Sequence, residues 1–183
     1  LSESLTTRAG SSLFWTGTGT LTIATQMTLS TTSQVLSITA DDLGLDADSR
    51  LSSGTATIGI VTTSATHTIG IGATNKDMHI TDAELGCVWT AGGLTVGDSS
   101  SGDVTINGVQ DGNSDAIATL TLHATKATKT VTFSGGSSAF HKGIVVQAKG
   151  IVLSKDVTTQ SSTTFLHAAT GTITTRSSTP ASI

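Results

Sequence analysis

The sequence predicts an all-β chain, and specifically a parallel β-solenoid, on three observations. Thr (37) and Ser (24) make up a third of its 183 residues, with 20 Gly beside them. Apolar and polar residues alternate with period two in runs of three to five residues, separated by Gly/Ser/Asp turn clusters. The strand cores recur, with exceptions, every 10 to 16 residues, and many spacings pair into sums of roughly 22 to 25, a coil of two or three strands. β-branched side chains crowd a helical turn but fit a pleated strand, so this much Thr favours sheet. The single proline, Pro180, lies almost at the end, leaving the preceding backbone its full set of donors. Val, Ile and Leu recur too often for a disordered linker.

The strand cores follow in order. Leu21 and Ile23 alternate with Thr20 and Thr22, and Leu36-Ser37-Ile38-Thr39 follows Val35. Ile58-Gly59-Ile60 and Ile69-Gly70-Ile71 repeat the theme, then Leu94-Thr95-Val96, Val104-Thr105-Ile106, Leu120-Thr121-Leu122 and Val131-Thr132-Phe133. Ile144-Val145-Val146, Ile151-Val152-Leu153 and Thr172-Ile173-Thr174 complete the series. Helix is confined to one short turn at Thr81-Asp82-Ala83-Glu84-Leu85. Seven or eight coils at ~4.8 Å each give a rod of roughly 35–40 Å.

A longer periodicity lies over the coils. Val157 to Thr174 aligns on Leu5 to Thr22 at an offset of 152 without a gap, with Thr6, Thr7, Thr18, Gly19, Thr20 and Thr22 matched identically. The apolar pair Leu13-Phe14 becomes Phe165-Leu166. The expected organisation is a single solenoid domain over 1–183, holding one 152-residue unit (5–156) and the start of the next (157–175). No charged-then-apolar leader opens at Leu1, which fits a processed end or a segment of a longer array.

Several strings occur in a specific order. Ile38-Thr39-Ala40-Asp41-Asp42-Leu43-Gly44-Leu45-Asp46 is followed by Leu51-Ser52-Ser53-Gly54-Thr55-Ala56-Thr57-Ile58, then by Thr68-Ile69-Gly70-Ile71-Gly72. Ile80-Thr81-Asp82-Ala83-Glu84-Leu85 and Gly93-Leu94-Thr95-Val96-Gly97-Asp98 come next. This order resembles the repeats of filamentous-haemagglutinin-like surface proteins and of similar giant repeat proteins in microbial eukaryotes. The resemblance implies a right-handed parallel β-helix, an extracellular or cell-surface location, and a role in adhesion or a fibrous layer.

Composition argues against several functions. Six aromatic residues and no Tyr leave few flat faces for sugar or base stacking. A net charge of −4 with nine Lys and Arg offers no patch to neutralise a nucleic-acid backbone or an anionic membrane. No stretch approaches ~18 apolar residues, so no membrane insertion is expected. One cysteine, Cys87, forms no internal disulfide, and it reads as a small buried hydrophobe without a basic neighbourhood to activate it. Two Glu and few cations leave little for acid–base catalysis, so no enzyme, catalytic residue or cofactor is predicted. Gly97-Asp98-Ser99 looks like the start of a serine-protease nucleophile motif, but Ser100 and Ser101 stand where glycines must shape the oxyanion hole.

Two candidate sites remain. Asp41, Asp42, Asp46 and Asp48 lie close enough in sequence to be a Ca²⁺ candidate, though no known Ca²⁺-loop pattern surrounds them. Thr16, Thr18, Thr20 and Thr22 would share one strand face as a hydroxyl grid for ice or a polysaccharide, against the simpler account that Thr is the outward half of the strand. Five histidines are scattered singly, without metal-site spacing. The leading expectation is a structural segment stacking end to end with copies of itself, since the last coil of a solenoid is an open sheet edge. The alternative is an adhesin or an ice- or polysaccharide-binding module that uses the Thr-lined strand faces.

Overall fold

The computed structural model describes residues 1–176, so Pro180 lies outside the described residues. The chain winds through about seven coils with three strands to most of them, and most strands pair in parallel with their counterpart one coil on. Coil 1 comprises β1 (Leu5–Thr7), β2 (Ser12–Trp15) and β3 (Thr20–Ile23), and coil 2 comprises β4 (Thr28–Thr31), β5 (Leu36–Ala40) and β6 (Asp42–Leu45). Coil 3 has β7 (Arg50–Gly54), β8 (Ile58–Thr62) and β9 (Ile69–Gly72), then an insertion of β10 (Met78–Ile80) and α1 (Asp82–Gly86). Coil 4 has β11 (Val88–Thr90), β12 (Leu94–Asp98) and β13 (Val104–Asn107). Coil 5 opens with a 3-10 turn at Asp111–Asn113 and continues as β14 (Thr119–Ala124) and β15 (Thr130–Phe133). Coil 6 has β16 (Ser138–Phe140), β17 (Gly143–Ala148) and β18 (Gly150–Leu153), and coil 7 has β19 (Val157–Thr159), β20 (Phe165–Ala168) and β21 (Ile173–Thr175).

Three walls result. Wall 1 is β1-β4-β7-β11, continued after a single bridge at Thr90–Ile117 by β16-β19. Wall 2 is the unbroken seven-strand ladder β2-β5-β8-β12-β14-β17-β20. Wall 3 is β3-β6, then β10-β9-β13-β15-β18-β21. Alternation sends every second residue into a core of stacked ladders. On wall 2 Ile38, Ile60, Val96, Leu122 and Val146 lie one above another, all at most 1% exposed. Each layer covers the next, so burial is nearly complete although no strand exceeds six residues.

Wall 1 was not anticipated in the strand series, and its chemistry explains why. Its strands place one apolar residue and one hydroxyl inward, the hydroxyl second except in β16, where Ser138 precedes Phe140. Leu29 and Leu51 are fully buried, and beside them Thr31, Ser53 and Thr90 are buried as well. Thr31 donates to the Gln34 carbonyl and Ser53 to the Ala56 carbonyl, each three residues on and at 2.6 Å, while Thr90 reaches the same Ala56 carbonyl in the preceding coil at 2.7 Å. The turn from wall 1 to wall 2 is thereby closed from inside, satisfying carbonyls that burial would otherwise leave unpaired.

The insertion breaks the coil spacing. Leu36 stacks on Ile58, Ile58 on Leu94 and Leu94 on Leu120, steps of 22, 36 and 26 residues. In the long step β10 turns back to pair with β9 and lies beside β6, where the His79 amide donates to Asp42 Oδ1 at 2.9 Å. The helix predicted at Thr81–Leu85 is present as α1. Thr81 accepts from the Glu84 amide while Glu84 Oε2 accepts from the Thr81 amide, a reciprocal cap, and Glu84 Oε1 also accepts from the Leu45 amide at 3.0 Å.

Candidate functional site

The acidic group separates on folding. Asp41 and Asp42 stand where β6 begins, while Asp46 and Asp48 follow its end. Asp41 faces His67 at 3.3 Å and accepts from Thr63, and Asp42 holds the His79 amide. Among the described residues no group of three or more His, Cys, Asp or Glu is placed to hold a metal ion. The histidines likewise take separate partners, His79 at the Gly72 carbonyl and His123 at Thr125. Cys87 is half-buried at the C-terminal end of α1, less enclosed than its sequence neighbours suggest.

The threonine row also divides. Thr16 and Thr18 lie in the turn between β2 and β3, where Thr16 donates to the Gly19 carbonyl at 2.7 Å, and only Thr20 and Thr22 lie on β3. Along wall 3 the outward column in register with Thr22 begins with Gly44, and farther along runs Gly70, Thr105, Thr132, Val152 and Thr174. Hydroxyls alternate with gaps and a valine, so the column is not a continuous grid.

Gly97-Asp98-Ser99 forms a closed turn. Asp98 Oδ1 accepts from the amides and hydroxyls of both Ser100 and Ser101 at 2.8–2.9 Å. Burial pushes its carboxyl up, but these four donors outweigh burial and hold it below the usual value. In Asp103 burial is similarly overcome by the Thr130 amide and by Lys129, 3.1 Å away. A carboxyl with a lowered folded pKa contributes stability above its unfolded value and loses it as pH falls through the folded one. The urea midpoint is therefore expected to hold from neutral pH down to about pH 5 and to drop below about pH 4. Asp98→Asn should flatten that drop, and an unchanged acid profile in this variant would contradict the assignment.

Two recesses of mixed chemistry meet at Trp89 on wall 1. Trp89 on β11 is 45% exposed and the Arg50 guanidinium stacks 4.1 Å from its ring centre. Ser52, Thr90 and Asp115 line one side of the indole, and Asp48 and Asn113 the other. The wall opens here because β11 is its last full strand before the single bridge to Ile117.

The two ends of the rod are the largest departure from a finished core. Leu5 is 38% exposed whereas Leu29, stacked on it, is fully buried; Ile173 is 46% exposed whereas Ile151 is fully buried. Leu1, Leu13, Trp15 and Phe165 add exposed large apolar side chains at the same two ends, and elsewhere only Val35 and Trp89 do so among the described residues. Backbone groups on the outer side of each end strand point away from the rod. At the first end Leu1 meets two of them, donating its amino group to the Thr22 carbonyl and accepting from the Ala24 amide.

Coil 7 occupies the same structural positions as coil 1 at the offset of 152. β1 and β19 are both three-residue strands on wall 1, with Leu5 and Val157 inward. Leu13 and Phe165 both point out, and Phe14 and Leu166 both point in. Thr7 shares a hydrogen bond with Ser12 at 2.5 Å, and Thr159 with Thr164 at 2.9 Å. Even the contact at Leu1 has its counterpart: Ala24 donates to the Leu1 carbonyl and Arg176 to the Leu153 carbonyl, each at 3.1 Å. No protein family, curated protein or solved structure matches the chain.

Proposed function

We propose that this chain is a structural module, a β-solenoid segment that continues end to end into an extracellular or cell-surface fibre. The observation that carries the reading is the pair of rims that bound the described residues, each a row of parallel strand edge around an exposed apolar ladder, with only Leu1 meeting backbone groups of the first edge. An unpaired edge of this kind is a template for a further strand. The positional equivalence of coils 1 and 7 supports it, because a rim that already repeats the opposite rim offers matching register to the next coil. The continuing coil belongs either to the same chain in a tandem array, with the 152-residue unit as its period, or to another copy. The resemblance of the ordered strings to surface-protein repeats supports the location. No catalytic step is part of this role.

The rim can be blocked without touching the rod. Ile151 donates to the Thr172 carbonyl and Arg176 to the Leu153 carbonyl, so by the alternation of a parallel ladder Thr175 points its amide away from β18. Thr175→Pro removes that outward donor and costs no ladder bond within the chain. The expected result is an unchanged circular-dichroism spectrum and the loss of assembled particles by light scattering. Assembly of the variant at the level of the unmodified chain would refute the rim as the contact.

A second reading, an adhesive module, is favoured by one observation, the half-exposed Trp89 with Arg50 on one side and Asp, Asn and hydroxyl groups around it. An indole flanked by hydrogen-bonding groups suits the face of a sugar ring. On this reading, pull-down on insoluble glycans retains the chain and Trp89→Ala reduces retention at least about tenfold, the equivalent of ~1.4 kcal/mol. Equal retention of both, or of neither, removes it.

A further inference from the structure

We infer that the two ends of the rod recognise one another by charge, so that a second copy of this chain adds head to tail, its coil 1 seated on coil 7 of the first. The inference rests on the stacking reading above and adds to it a polarity and a recognition chemistry. Winding sorts the charges along the axis. Coils 1 and 2 with their connections carry Glu3, Asp41, Asp42, Asp46 and Asp48 against Arg8 and the Leu1 amino group. Coils 6 and 7 carry Lys142, Lys149, Lys155 and Arg176 against Asp156 alone.

The sorting runs along the rod's edges. Between walls 2 and 3 the connections present Asp41 at coil 2, Asp103 at coil 4, Lys129 at coil 5 and Lys149 at coil 6. Between walls 3 and 1 they present Asp46 and Asp48 after β6, and Lys155 and Arg176 after β18 and β21. The basic groups reach the rim itself. Lys149 Nζ extends to Thr170 Oγ1 of coil 7 at 3.2 Å, and Lys155 and Arg176 line one recess with Thr175 and the single carboxylate Asp156. Among the described residues none of these three forms a salt bridge, whereas Lys129, farther from the rim, does.

Seating coil 1 of a second copy on coil 7 fixes the spacing. Arg176 lies on the last described rung, and the partner's Asp46 lies one rung beyond its coil 1, because the Asp46 amide donates to the Ile23 carbonyl. Two rungs are about 10 Å, close to one Debye length at 0.1 M salt. Opposite charges therefore attract across the junction, and the attraction strengthens as salt is lowered. First end against first end would oppose aspartates with aspartates, and last against last would oppose cations with cations. Head to tail is the one arrangement in which both the parallel ladder and the field continue.

Sedimentation velocity of the chain across salt from about 0.01 M to about 1 M tests this. Self-association is expected to strengthen at least about tenfold at the low-salt end, which a few exposed pairs of ~0.2–1 kcal/mol each supply. The variant Lys149→Glu/Lys155→Glu/Arg176→Glu should lose that gain while keeping its circular-dichroism spectrum. Mixing it with Asp46→Lys/Asp48→Lys should restore association, since a reversed tail then meets a reversed head. Assembly that ignores both salt and charge reversal overturns the charge inference and leaves stacking standing. A chain that stays monomeric at every salt and concentration overturns both.

Discussion

Gly97→Ala is expected to destabilise the rod by about 3 kcal/mol or more, read as a fall in the urea midpoint. Gly97 lies within β12 at φ +83°, a left-handed conformation that an L side chain adopts at a cost of roughly 1–2 kcal/mol. Its added Cβ would also stand 2.2 Å from the His123 carbonyl oxygen of the next coil. That oxygen belongs to a backbone held on both sides by parallel pairing, so it cannot step aside without opening the ladder. Gly72 does the same work on wall 3, at φ +85° with a Cβ position 2.1 Å from the Asn107 carbonyl. Gly59 is the control, because it has open space around its Cβ position. Gly59→Ala should be neutral or stabilise by up to about 1 kcal/mol, since alanine loses less backbone entropy on folding. Equal behaviour of the two substitutions would show that coil contact does not decide the cost.

Leu122→Ala is expected to cost about 3–5 kcal/mol, the upper part of the range for truncating a buried leucine. Leu122 is fully buried between Val96 below and Val146 above. The cost of a cavity depends on how far its walls can collapse. Here the spacing of the coils is set by backbone hydrogen bonds at ~4.8 Å, so the neighbouring layers cannot close the gap. Leu5→Ala gives the contrast, for Leu5 is 38% exposed with a layer on one side only. Its cost should be less than half that of Leu122→Ala in the same denaturation experiment.

Most of walls 2 and 3 was legible because their strands turn two apolar residues inward, as in Leu94 and Val96 or Val104 and Ile106, which leaves plain alternation in the sequence. Apart from β10, three of their strands stand outside the series: β2 and β20 turn one large apolar residue inward beside Ser12 or Ala168, and β6 sets Gly44 between its two leucines. Wall 1 was not legible. Leu-Ser-Thr in β4 and Leu-Ser-Ser in β7 hide a single apolar residue in hydroxyl-rich surroundings, and the second inward position is polar because its hydroxyl closes the turn. β10 was missed for a different reason. Met78-His79-Ile80 is too short to announce itself, although the 36-residue gap between Ile58 and Leu94 was a sign that an extra element lay in that coil.

The candidate site was legible in part. The offset of 152 was visible in residue identities, but that Thr7 and Ser12 pair as Thr159 and Thr164 do needed coordinates. The aspartates looked like one cluster because sequence distance conceals the length of β6 between them. Trp89 gave no pattern at all, since its recesses are built from coils far apart in sequence. The sorting of charge was present in residue order, and it became a physical property only once that order turned out to run along the axis of a rod.

The most direct test of stacking is electron cryo-microscopy of the concentrated chain at low salt. The account predicts filaments in which the ~4.8 Å ladder runs unbroken across each junction and successive copies repeat every ~34 Å, seven coils. Dispersed single rods, or rods joined side by side with both rims open to solvent, would contradict it.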